Sequence, residues 1–109
     1  MKQPPAVSII MNCFNSGKHL KEAIDSVFSQ SFSDWEIIFW DNLSRDDSAL
    51  IANGYDRRLK YFLATEHTEL GVARNFALKK ARGKYVGFLD CDDLFLENKL
   101  SSQIAFMEE

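Results

Sequence analysis

Residues 85–93 read YVGFLDCDD, a short apolar run followed by three aspartates within four positions. The run YVGFL is apolar on both of its faces, which is typical of a strand in a parallel sheet that is covered on both sides. Carboxylates placed this close repel one another unless a positive group lies between them. The stretch therefore predicts a buried parallel strand whose end opens onto a charged site.

Strand-like and helix-like segments alternate along the rest of the chain. Apolar, β-branched or aromatic runs predict strands at 7–12, 36–41, 59–64 and 85–89, and apolar spacing predicts helices at 17–30, 71–82 and from about 97 onward. A capping box at 44–47 predicts a further short helix that ends near Gly54, and Gly83 is expected to cap the helix at 71–82.

This alternation predicts the α/β class, with a Rossmann-like parallel sheet, right-handed crossovers and helices on both faces. We expect the strand order 3-2-1-4. That order would place Cys13 and Cys91 side by side, although they are far apart in sequence. A disulfide between them is not expected in a reducing compartment.

Composition narrows the class of protein. The 109 residues fit one domain, and the net charge of −3 argues against a nucleic-acid binder, which usually has a basic face. No apolar run approaches the roughly 18 residues of a membrane span. The N-terminal segment lacks the features of a signal peptide. We therefore expect a cytoplasmic protein.

Polar residues follow the first, second and fourth predicted strands. In open parallel sheets, ligands bind beyond the carboxyl ends of the strands, where the strand order reverses. Asp90 and Asp92 would point to the same side there, and paired carboxylates suit Mg²⁺ or Mn²⁺. The alternative is that Asp92 and Asp93 cap the next helix while Asp90 is a solvated loop residue.

Three segments, taken in their order along the sequence, together resemble the nucleotide-binding half of a family-2 glycosyltransferase of the GT-A fold. They are VSIIMNCFN (7–15), AIDSVFSQSFSDWEIIFWDN (23–42) and LGVARNFALKKARGKYVGFLDCDD (70–93), and the match runs from about residue 6 to 100. The resemblance implies transfer of a sugar from a nucleoside diphosphate donor, with inversion and with Mn²⁺ or Mg²⁺ as cofactor. A UDP-sugar is favoured, and polysaccharide biosynthesis is the implied setting.

The resemblance also implies roles for individual residues. Asn12 and Phe14 would border the base and ribose, Asp41 would accept a hydrogen bond from the base edge, and Arg74 would lie near the nucleotide. Asp92 would be the main metal ligand. Asp90 would contact the ribose or metal-bound water, and Asp93 is the remaining candidate ligand.

One departure from the family concerns the second strand. The family often has an acidic pair and then Gly-Ser at its end, whereas residues 40–44 read WDNLS. The base-contacting loop is therefore expected to differ in shape. His19 and His67 are expected to be ordinary surface residues, because nothing pairs them at the spacing of metal ligands.

The family's general base and most of its acceptor site belong to a second half that this sequence lacks. We therefore expect residues 1–109 to form one nucleotide-sugar-binding domain, truncated relative to a full transferase and inactive alone. The resemblance allows a glycan or lipid-linked acceptor and peripheral membrane association of the full-length protein. Two alternatives stay open: a non-catalytic nucleotide- or metal-binding module, and a structural α/β domain whose acidic turn only caps a helix.

Overall fold

A computed structural model describes residues 3–108 of the chain. Strands and helices alternate in it as β1 (Val7–Cys13), α1 (Gly17–Phe28), β2 (Trp35–Asp41), α2 (Ser48–Ala52), β3 (Leu59–Leu63), α3 (Leu70–Leu78), β4 (Tyr85–Phe88) and α4 (Lys99–Met107). Within these residues, no helix is both long enough and apolar enough to cross a membrane.

The four strands form one parallel sheet in the order β3-β2-β1-β4. The predicted order and direction are confirmed. In the register of the central pair, Asn12 lies beside Trp40 and Cys13 beside Asp41. Because successive side chains of a strand point to opposite faces, Cys13 and Asp41 share one face while Asn12 and Trp40 share the other.

Each face of the sheet carries its own apolar core. On one face, side chains such as Ile9 and Phe39 pack in one cluster with buried residues of α1, α2 and α4. On the other face, Ile10, Ile38 and Trp40 pack against α3. Full burial of an aliphatic side chain contributes about 1.5–3 kcal/mol, so both layers hold the sheet. The prediction of helices on both faces is confirmed.

The prediction that β4 is buried on both faces is wrong. Val86 is 43% exposed and Phe88 is 50% exposed. The reason is that α3 packs across β1 and β2, so it leaves the outer face of β4 open.

Two predicted helix ends also differ. The short helix begins at Ser48, and its N-cap residue Asp47 makes no side-chain capping bond. Asp46 performs this role instead, since its Oδ1 accepts hydrogen bonds from the Ser48 amide at 3.0 Å and the Ser48 hydroxyl at 2.6 Å. The capping box predicted at 44–47 does not form.

The helix predicted at 71–82 ends at Leu78, so Gly83 is not its cap. Gly83 does not adopt the left-handed backbone that such a cap requires. A residue without a side chain is required there for another reason: a Cβ added at Gly83 would lie 2.6 Å from the Ser8 amide nitrogen. Gly83 therefore allows the chain entering β4 to lie directly against β1.

A buried carboxylate fixes the same junction. Glu36 of β2 is only 2% exposed, and it accepts hydrogen bonds from the Ser8 hydroxyl at 2.5 Å, the Arg82 amide at 2.8 Å and the Lys60 ammonium at 2.6 Å. Burial alone would raise the pKa of Glu36, but these hydrogen bonds outweigh it and hold the pKa below its usual value. The network attaches the start of β4, and so the acidic turn after it, to the sheet.

Candidate functional site

Hydrogen bonds join the loops that follow β1 and β2. Asn15 has a left-handed backbone with φ of 51°, and its side-chain oxygen accepts from the Arg45 amide at 2.7 Å. In return, the Ser44 hydroxyl accepts from the Asn15 amide at 2.9 Å. Asp46 accepts from the amide of Gly17, the first residue of α1, at 3.0 Å. The two loops therefore form one connected rim at the carboxyl edge of the sheet.

Asp41 lies beneath this rim rather than on it. Its side chain is fully buried, with one oxygen accepting from the Ser44 amide at 2.8 Å and the other from the Tyr61 hydroxyl at 2.6 Å. Burial and this hydrogen bond raise the pKa of Tyr61. The structure thus places Asp41 as an anchor of the loop after β2, which does not match the predicted contact with a base edge.

A pocket of about 220 Å³ opens on the opposite side of that loop, between the ends of β1 and β2 and the start of α3. Its lining includes Asn12, Phe14, Asn42, His67, Thr68 and Ala73. Phe14 is 47% exposed, so an apolar ring is available at the mouth of the pocket. A flat, partly polar ligand can lie against such a ring while polar groups contact its edge.

The polar wall of this pocket includes Asn42, His67 and Thr68, for which the sequence predicted no ligand contact. Asn42 donates to the Thr68 carbonyl at 2.7 Å and accepts from the Thr68 amide at 3.0 Å. The His67 ring lies 4.4 Å from the Phe14 ring, and its Nδ1 is 3.0 Å from the Asn42 carbonyl oxygen. His67 is exposed as predicted, but it also lines the pocket. Its partners are distant in sequence, so no local spacing could have shown this.

The acidic turn lies directly after β4. Carboxylate oxygens of Asp90, Asp92 and Asp93 come within 4.8 Å of one another, and all three residues are exposed. The turn is closed by a hydrogen bond from the Asp93 amide to the Asp90 carbonyl at 3.0 Å. Neither Asp92 nor Asp93 caps α4, whose N-cap residue is Asn98. The helix-capping alternative for the turn is therefore wrong, and the oxygen donors fit a hard divalent cation.

A narrow cleft connects the turn with the pocket. Asn12, Arg74 and Asp90 line it together, and the Arg74 guanidinium lies 5.6 Å from the centre of the Phe88 ring. Three residues predicted for the nucleotide site are thus brought together from β1, α3 and the end of β4. Asn12 also lines the 220 Å³ pocket, and its side-chain nitrogen is buried with no hydrogen-bond partner among the residues described.

A wider cleft lies on the other side of Asp90. It measures about 400 Å³, and Asp92, Lys18 and His19 line it together with Asp90. Lys18 and His19 belong to the first turn of α1, and sequence spacing did not associate them with the acidic turn. The Lys18 ammonium adds a positive charge to this cleft and so offsets part of the repulsion that the aspartates exert on an anionic ligand.

The two cysteines link the end of β1 to the acidic turn. Cys13 and Cys91 are buried, free thiols that lie next to each other, as the strand order predicted. The interaction between the two thiols lowers the pKa of Cys13 to about 6 and, with burial, raises the pKa of Cys91. The Cys91 thiol also donates to the Asn12 carbonyl at 3.3 Å. The acidic turn is thus packed against the end of β1.

The chain is similar to known glycosyltransferases over nearly its whole length. The family model described as "Glycosyl transferase family 2" matches residues 8–109. The chain is 38% identical over 108 residues to "Putative teichuronic acid biosynthesis glycosyltransferase TuaG" of Bacillus subtilis, a match that covers 96% of this chain and 43% of that protein. It is 39% identical over 106 residues to an uncharacterized glycosyltransferase of Haemophilus influenzae, covering 94% of this chain and 42% of that protein. The chain thus spans about two fifths of these relatives.

Solved structures give the same result. S. aureus TarS 1-349 in complex with UDP-GlcNAc matches with a TM-score of 0.89 and 31% identity, over 94% of this chain and 31% of that one. The mannosyltransferase PcManGT from Pyrobaculum calidifontis, in complex with GDP-Man and Mn²⁺, matches with a TM-score of 0.88 at 22% identity, over 99% of this chain and 34% of that one. The second likeness concerns the fold alone. The chain has the Rossmann-like GT-A fold and belongs to glycosyltransferase family 2.

Proposed function

We propose that this chain is the donor-binding region of an inverting glycosyltransferase that uses a nucleoside diphosphate sugar, with a UDP-sugar favoured. The observation that carries the proposal is the convergence of Asn12, Arg74 and Asp90 on one cleft between β1 and β4. The strand order reverses there, which is where ligands bind in open α/β sheets. The cleft joins a small pocket with an aromatic mouth to a turn rich in oxygen ligands.

The nucleobase would occupy the pocket beside Phe14. The exposed ring offers a stacking surface, and Asn12, which lines the pocket, has a side-chain nitrogen without a hydrogen-bond partner among the described residues, so it can act as a donor. Uridine is supported by TarS, which has been solved with UDP and with UDP-GlcNAc and is 31% identical to this chain. The base-edge role first predicted for Asp41 is not retained, because both of its oxygens are engaged inside the protein.

Asp92 would hold a divalent cation, Mn²⁺ or Mg²⁺, together with Asp90 and Asp93. Such a cation, when bound, neutralises the negative charge that develops on a nucleoside diphosphate leaving group. The chain's own cations would act in the same direction. Arg74 lines the narrow cleft with Asp90, and Lys18 lines the wider cleft with Asp92, so both are near the expected path of the diphosphate.

Inversion requires a base beside the acceptor hydroxyl. The carboxylates that line the described clefts are the three aspartates of the turn, which would hold the cation, and Glu69 in the base pocket. Because the aspartates are assigned to the cation and Glu69 lies in the nucleobase pocket, none of them is proposed as the general base. We therefore propose that the 109-residue chain binds donor but does not transfer sugar by itself. A glycan or lipid-linked acceptor, and peripheral membrane association, would belong to a longer protein.

Isothermal titration with UDP and GDP, with and without Mn²⁺, tests this proposal. Binding of UDP that depends on Mn²⁺ and exceeds binding of GDP is expected. Metal-independent binding would contradict the role of the acidic turn, and no binding of either nucleotide at any Mn²⁺ concentration would contradict the donor site. Sugar release or transfer by the chain alone would contradict the proposed lack of activity.

A further inference from the structure

The residues at the end of β2 are not available to recognise a base edge. Asp41 is fully buried and hydrogen-bonded at both oxygens. At the next position, the Asn42 amide group both donates to and accepts from the backbone of Thr68, at 2.7 and 3.0 Å. These paired bonds fix the segment before α3 against the loop after β2. That segment therefore adds further polar side chains to the base pocket, beside Asn12.

His67 of that segment is held in one hydrogen-bonding state. Its Nδ1 lies 3.0 Å from the Asn42 carbonyl oxygen, and a carbonyl can only accept, so Nδ1 carries the hydrogen. In a neutral imidazole, the other nitrogen then has a free lone pair and is an acceptor. Nε2 makes no hydrogen bond to any residue that the structure describes. The pocket therefore has an acceptor on its wall that a ligand can use.

The position of the ring matches a base-sized ligand. His67 lines the 220 Å³ pocket, and its ring is tilted by 57° against the Phe14 ring at 4.4 Å. The two rings thus form adjoining parts of one pocket wall, so a base that enters the pocket meets the imidazole as well as the Phe14 ring. An acceptor there favours an edge that carries N–H and disfavours an edge that carries a bare ring nitrogen.

We propose that His67 determines base specificity by accepting the N3–H of uracil at Nε2. The proposal rests on the donor site proposed above and adds the residue that selects the base. Cytosine has a bare nitrogen at the same ring position, so two acceptors would face each other. A uracil methylated at N3 would lose the hydrogen bond and leave Nε2 unpaired.

Titration of UDP, N3-methyl-UDP and CDP at saturating Mn²⁺ tests this. The parent chain should bind UDP roughly five- to 150-fold more tightly than N3-methyl-UDP or CDP, which is the expected effect of one hydrogen bond in a partly dry pocket. His67→Phe keeps an aromatic ring beside Phe14 but has no acceptor, so it should bind UDP and N3-methyl-UDP equally. His67→Gln, whose amide oxygen can accept, should recover part of the preference.

Glu66→Ala, at the exposed neighbouring position, is the matched control and should keep the full preference of the parent. Equal affinity of the parent for UDP and N3-methyl-UDP would overturn the inference without any variant. A His67→Phe variant that still prefers UDP over N3-methyl-UDP would also overturn the inference. In both cases the proposed function would stand. Absence of UDP binding by the parent would instead overturn the proposed function, and the role of His67 with it.

Discussion

Replacing Asp41 with alanine separates the anchoring role seen in the structure from the base contact that the resemblance implied. The substitution removes two hydrogen bonds to a buried charged acceptor, one from the Ser44 amide and one from the Tyr61 hydroxyl. Each such bond contributes about 1.5–3 kcal/mol. Alanine also removes the desolvation cost of the buried carboxylate, which offsets part of that loss. We therefore expect a net destabilisation of about 2–4 kcal/mol. The melting temperature should fall by roughly 8–30 °C.

Thermal unfolding followed by circular dichroism measures the loss of stability. UDP titration, at a temperature where the variant stays folded, measures whether base binding is affected. Tyr61→Phe is the matched control, because it removes one of the two bonds and changes no charge. It should cost about half as much as Asp41→Ala. An unchanged melting temperature for Asp41→Ala, combined with weaker UDP binding, would refute the anchoring role and restore the base contact.

Three further perturbations follow from the same structure. Burial would raise the pKa of Glu36, but its hydrogen bonds hold it below the ordinary value of 4.5, so its stabilisation is present above that pH and is lost as the pH falls through the folded-state pKa. When the urea midpoint of unfolding is measured against pH, the midpoint of Glu36→Gln should therefore fall less at acid pH than that of the parent. An equal fall in both would contradict this. Gly83→Ala should cost about 1–3 kcal/mol in urea unfolding because its Cβ would meet Ser8, whereas Gly87→Ala, with nothing within 4 Å, should cost less; equal costs would contradict the close approach. Mn²⁺ should raise the melting temperature of the parent in a thermal shift assay but not that of Asp92→Asn, and an equal rise in both would remove Asp92 as the ligand.

The strand order was predictable because it depends on features that the sequence shows directly. Apolar runs separated by helical segments require crossovers, and crossovers of one hand allow few arrangements. The contact between Cys13 and Cys91 followed from that order alone. The same logic brought Asn12, Arg74 and Asp90 to one cleft, since the ends of parallel strands lie at one edge of the sheet.

The side of the sheet that each residue faces was not predictable at the end of β2. Adjacent residues of a strand point to opposite faces, so an uncertainty of one residue exchanges the roles of Asp41 and Asn42. The register with β1 resolves it, because Asp41 pairs with Cys13 on the face that α1 covers. A hydrophobic pattern cannot resolve it, since both residues are polar.

Features that depend on long-range hydrogen bonds were missed for a related reason. His67 lines the pocket with its ring against Phe14 and its Nδ1 at the Asn42 carbonyl, and nothing in the segment 65–69 indicates either partner. Gly83 looked like a helix cap because of its place after a helical pattern. Its small size is instead required by Ser8, which is distant in the sequence and adjacent in the sheet.

Nucleotide and cation are proposed to meet in one site between β1 and β4. A crystal structure of the 109-residue chain with UDP and Mn²⁺, with the ion located by its anomalous signal, tests it most directly. We expect the uracil ring against Phe14 with its N3 edge toward His67, and an anomalous peak at Asp92 beside the diphosphate. A nucleotide bound away from the pocket beside Phe14, or Mn²⁺ bound away from the acidic turn, would contradict the account.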